Sequence, residues 1–116
     1  MDSLSDSMAK IQAFCEERDW DQFHDPKELA IGMSTEANEL LDLFRFKREN
    51  EMNGMMTDPV KREQIAQELA DVFFFLLRFA QFHQFDLIKA LESKMLLNGQ
   101  KYPIDQARGS NRKYNE

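Results

Sequence analysis

A chain of 116 residues with one cysteine, Cys15, has the length of a single compact domain and excludes an internal disulfide framework or a thiolate cluster for zinc. A formal net charge of −6 argues against broad nucleic-acid binding, which needs a basic surface. It leaves room for a phosphate substrate, because a bound divalent cation reverses the local sign.

No N-terminal stretch combines a basic start with an apolar run. The longest apolar-rich segment, Leu69 to Phe82, is too short to span a membrane and carries Asp71 and Arg78. The expectation is a soluble, cytoplasmic protein. Glycine and proline are scarce and fall between periodic segments, which predicts an all-α fold. The first helix is expected from about Ser5 to Asp19, with Met8, Ile11, Phe14 and Cys15 on one stripe. DWDQFHD follows as a loop, and Asp25-Pro26 supplies an aspartate N-cap with proline at the first helical position. That second helix is expected to reach about Lys47. Asn50 to Asp58 has the composition of a loop. Asp58-Pro59 repeats the start signal and launches a third helix to about His83. Asp86 caps a fourth through about Leu97, with Asn98-Gly99 as its stop. Four helices predict a four-helix bundle, followed over about residues 100–116 by a basic tail without a core face of its own. Ten phenylalanines and seven methionines point to an extensive helical core that continues across a subunit interface.

Two acidic pairs stand out. The second helix carries TEANELLD, with Glu36 and Glu39, and the third carries QELAD, with Glu68 and Asp71. Each pair is spaced i, i+3, so each lies on one side of its own helix. Such pairs are often no more than a solvated face. Here, however, VFFFLL follows Asp71 at once, and Leu40, Leu41, Leu43 and Phe44 surround Glu39, so full exposure is not expected. If the helices are antiparallel neighbours, four carboxylates face one groove and repel, and burial raises their pKa values unless a cation joins them. Magnesium suits an all-oxygen site shared with substrate phosphates. Zinc does not, for want of histidine or cysteine. A di-iron or di-manganese bundle would add Glu-x-x-His, and neither His24 nor His83 follows a glutamate by three.

Glu36-x-x-Glu39 and Glu68-x-x-Asp71 together resemble the MazG-like, all-α nucleoside triphosphate pyrophosphohydrolases, and within them the dCTP pyrophosphatase branch. ERDWDQFHDP, TEANELLDLFRFK, QELADVFFFL, SKMLLNGQKYP and SNRKYNE carry the likeness, in order, over nearly the whole chain. The resemblance implies Mg2+-dependent hydrolysis of a deoxynucleoside triphosphate to the monophosphate and pyrophosphate, with Mn2+ as a substitute ion. Glu36, Glu39, Glu68 and Asp71 would hold the metal, and Glu39 is the preferred general base. Trp20, His24, Phe46 and Phe75 would line the base pocket. Lys94, Asn98, Lys101 and Tyr102 would grip phosphates, with Arg112 and Lys113 closing from the tail. The same likeness implies a homotetramer built as a dimer of dimers. Phe46 stands where the branch typically has tryptophan, and Phe75 where it has tyrosine, so a base choice broader than dCTP is expected. Two other readings remain at this level. One is a non-catalytic helical oligomerisation or partner-binding module. The other, inside the superfamily, is hydrolysis of dUTP or of a phosphoribosyl-ATP-like substrate.

Overall fold

The computed structural model describes residues 3–116, and their regular structure is all helical, with no strand among them. The helices are α1 (Leu4–Glu17), α2 (Pro26–Phe44), α3 (Glu49–Thr57), α4 (Pro59–His83), α5 (Leu87–Lys101) and α6 (Ile104–Ala107), with a 3-10 turn at Asp21–Phe23. The starts follow the sequence closely. Asp25 accepts from the Glu28 N–H at 2.7 Å, Asp58 from Lys61 at 3.3 Å and Asp86 from Lys89 at 3.0 Å, each meeting one of the orphan donors of a first turn. Ser3 and Asp6 form a reciprocal capping box for α1.

Several ends differ from expectation. Residues 49–57 are helical rather than a loop. Asn50, Asn53 and Gly54 are poor helix formers, and α3 exists because it packs on α4, with Met52 and Met55 half-buried one turn apart. α2 stops at Phe44, short of Lys47: Arg45 leaves the helix with an extended ψ of 134°, and Phe46 after it takes a positive φ of 65°. Asn98 and Gly99 do not stop α5, which runs on to Lys101. The break comes at Tyr102, whose helical conformation is disfavoured by Pro103.

The chain forms two compact units, one through Gln84 and the other Phe85–Glu116. In the first, α4 is the shared partner: α2 makes its most extensive packing there, and α1 and α3 pack on it too. Cys15, Leu29, Ile65, Leu77 and Ala80 form its apolar centre. In the second, α5 is followed by α6 and a non-helical end. Residues 101–116 fold around a cavity of about 240 Å³, lined in part by Lys101, Tyr102, Arg112, Lys113 and Tyr114.

Candidate active site

Glycine at position 32 sets the closest approach of α2 to α4. A Cβ there would lie 2.4 Å from Cε1 of Phe75, so only a hydrogen lets the Phe75 ring rest against the α2 backbone. Glu36 is one turn beyond Gly32, and Asp71 one turn before Phe75. Position 32 meets 75 and the 36/39 pair meets the 68/71 pair, so the two helices run antiparallel and bring the acidic pairs together.

One oxygen from each of Glu36, Glu39, Glu68 and Asp71 lies within 4.8 Å of the others. Oε2 of Glu36 and Oε2 of Glu68 are buried with no hydrogen-bond partner in the protein. Burial pushes the Glu36 carboxyl from 4.5 up to about 7, with the adjoining Glu39 and then Asp71 and Glu68 adding to the rise. Glu68 is raised too, first by burial and then by Glu39 and Asp71. Orphaned acceptors and crowded like charge are what a cation would relieve. A hard ion with oxygen ligands at about 2.0–2.6 Å spans opposite oxygens about 4–5 Å apart, so the four carboxylates fit a magnesium- or calcium-sized ion.

The expected base-pocket residues take differing places. Phe75 is half-buried, edge-on to Phe74 at 5.5 Å between ring centroids and against Gly32. Trp20 is partly exposed, edge-on to Phe14 at 5.6 Å and to His24 at 6.3 Å. Phe46 is 87% exposed, with the Arg45 guanidinium 4.6 Å from its ring centroid. A bulky residue at positive φ with its ring in solvent is costly, and such strain is commonly kept where a side chain must be presented. His24 is buried, and its Nδ1 accepts from Arg78 Nε at 2.8 Å. Burial and the Arg78 charge lower its pKa below 6.5, so the ring is held neutral with its proton on Nε2.

In the second unit, the longer α5 places Lys94, Asn98 and Lys101 at i, i+4 and i+7, a single stripe that a helix ending at Leu97 would not contain. Tyr102 packs edge-on against Tyr114 at 5.8 Å, and Lys101 Nζ lies 4.9 Å from the centroid of that same ring. The Arg112 N–H donates to Ser110 Oγ and the Lys113 N–H to Glu116, which folds the chain end locally.

Arg78 and Gly32 escape a reading of the sequence alone. Their signals are visible in retrospect: a lone cation inside FFFLLRFA, and a glycine mid-helix one turn from an acidic pair.

A model of the MazG-like family matches residues 31–116. The chain is 40% identical over 114 residues to dCTP pyrophosphatase 1 of Homo sapiens, covering 98% of this chain and 67% of the relative. It is 39% identical to dCTP pyrophosphatase 1 of Mus musculus, with the same coverage. Among solved structures it is similar to a pyrophosphatase from Archaeoglobus fulgidus DSM 4304. That likeness has a TM-score of 0.81 and 29% identity over 89% of this chain and 94% of the other. With paired helices bearing facing carboxylates, and with these relatives spanning almost its full length, the chain belongs to the MazG-like family.

Proposed function

We propose that this pyrophosphohydrolase hydrolyses deoxynucleoside triphosphates, dCTP first among them, to the monophosphate and pyrophosphate, as a guard of the nucleotide pool. The observation that carries the reading is the carboxylate quartet, four oxygens within 4.8 Å of one another, with one buried oxygen of Glu36 and one of Glu68 left without a hydrogen-bond partner in the protein. The name borne by the mammalian relatives supports the substrate.

Glu36, Glu39, Glu68 and Asp71 would hold Mg2+, or Mn2+ in its place. When bound there, such an ion offsets phosphate charge and lowers the pKa of water. Attack of water on the α-phosphorus forms one P–O bond as the bond to the bridging oxygen breaks, and pyrophosphate leaves. Glu39, exposed at the edge of the quartet, is the proposed acceptor of the water's proton. Trp20, Phe46 and Phe75 offer flat faces for a base, each stack being worth about 1–3 kcal/mol. Phenylalanine at 46 and 75 gives area without a hydrogen-bond donor, which favours tolerance among bases. Lys94, Asn98, Lys101, Tyr102, Arg112 and Lys113 are proposed as phosphate ligands. Assembly as a homotetramer is part of the same proposal.

The test is pyrophosphate release across a panel of deoxynucleoside triphosphates, with dUTP and a phosphoribosyl-ATP analogue included. The expected result is turnover that needs Mg2+ or Mn2+, greatest with dCTP. No release from any of them sinks the reading. Glu39→Gln should lower kcat by at least about 10²-fold with helical circular dichroism unchanged; full activity would remove Glu39 from the chemistry.

A further inference from the structure

Arg78 lies in the apolar run of α4 and is fully buried, at 0% exposure. Each of its nitrogens has a partner. Nε donates to Nδ1 of His24 at 2.8 Å, one terminal nitrogen donates to Gln81 Oε1 at 2.6 Å, and the other donates to the Asp21 carboxylate. The guanidinium also sits 4.4 Å from the Phe82 ring centroid. One turn further along α4, His83 Nε2 meets the His24 carbonyl oxygen at 2.9 Å. These polar ties from α4 to the α1–α2 connection land on Asp21 and His24, which follow Trp20 in the same loop.

Burying a guanidinium is expensive, and an apolar side chain of similar volume would fill the same space without that cost. What the cation adds is direction. Its planar fork fixes Asp21 and His24 at once, which neither methionine nor the single-point ammonium of lysine can do. Trp20 immediately precedes the first of these anchors, and its ring stands edge-on to His24 and Phe14. From Phe14 the ring contacts continue through Phe74 to Phe75, the residue seated on Gly32 beside the carboxylates.

We propose that Arg78 is a positioning residue. It fixes the Trp20 loop on the helix that carries Glu68 and Asp71, and thereby sets how tightly the base of the nucleotide is held, without touching substrate. The inference rests on the reading that Trp20 belongs to the base-binding wall.

Trp20 is the single tryptophan of the chain, so its fluorescence reports the loop directly. In Arg78→Met, Trp20 emission should shift to the red and acrylamide quenching should increase. KM for dCTP should rise about tenfold while kcat stays within about threefold, the pattern of lost ground-state binding. Arg78→Lys should restore neither fully. A merely structural residue would lower the amount of active enzyme and leave KM and the quenching of the folded fraction unchanged, and that result overturns the proposal. Should Arg78→Met fail to fold, Asp21→Asn serves, since it keeps an acceptor for Arg78. Quenching and KM should then move in the same direction, by about threefold in KM, and no movement overturns the proposal. If the unaltered enzyme turns over no nucleotide, the dNTP reading falls. The quenching arm then decides the anchor alone: a loosened Trp20 in Arg78→Met upholds it, and an unchanged one overturns it.

Discussion

At Glu36 a surface-type residue acquires a chemistry that its own position on α2 does not explain. Its carboxyl is held at about 7 against 4.5 for a free one, because the fold removes water from one oxygen and places three more carboxylates beside it. Since the folded value lies above the unfolded one, the stability tied to this group is complete below about 4.5 and is lost as the pH rises to about 7. Glu36→Gln should therefore raise the melting temperature of the metal-free protein at pH 8 by about 2–4 °C and change it little at pH 4.5. The same variant should lose the stabilisation that Mg2+ gives the unaltered protein. Equal melting curves at pH 8 would show that the quartet's repulsion is not felt. His24 runs the other way. Its value is depressed by burial and by Arg78, so its contribution is present above 6.5 and is lost as the pH falls.

Among the elements, helix starts were legible and helix ends were not. Asp25-Pro26, Asp58-Pro59 and Asp86 cap the helices they announce, because an aspartate side chain and the next few amide groups interact within four residues. Ends depend on backbone dihedrals that many residue types can adopt. α4 ends at Gln84, which takes the left-handed conformation at φ 63° and ψ 53° with its N–H bonded to the Ala80 carbonyl, a place where glycine is ordinarily favoured. Gln84→Gly should stabilise the protein by up to about 1 kcal/mol, seen as a higher urea midpoint at constant slope. A lower midpoint would mean that the Gln84 side chain contributes more than its backbone costs. α3 escaped notice for a related reason. Its nine residues have weak intrinsic helicity and are held by packing on α4, and composition alone does not register that.

Across the whole molecule, the surface carries more apolar side chain than a lone chain needs. Leu69, Phe73 and Leu76, spaced i, i+4 and i+7 on α4, are 52%, 47% and 37% exposed. An apolar stripe of this kind is a surface that copies of a chain can bury against one another, and it supports the proposed self-assembly. Phe73→Glu places a charge in that stripe, and sedimentation should then show a smaller species than the unaltered protein forms. An unchanged sedimentation coefficient would put the contact elsewhere. Among the described residues no helix is long and apolar enough to cross a membrane, in line with the two charges read inside the Leu69 to Phe82 run.

The sequence by itself determined the all-α class, the four long helices, the aspartate caps of three of them, and the pairing of Glu36 with Glu39 and of Glu68 with Asp71. These are consequences of short-range geometry, repeated every three or four residues. Only the tertiary structure decided that the two pairs converge within 4.8 Å, that Phe75 closes on Gly32, and that Arg78 reaches His24 across 54 residues of chain. Those meetings follow from how α1 and α2 pack on α4. No local periodicity encodes the packing, because it is set by the fit of whole faces that are distant in sequence.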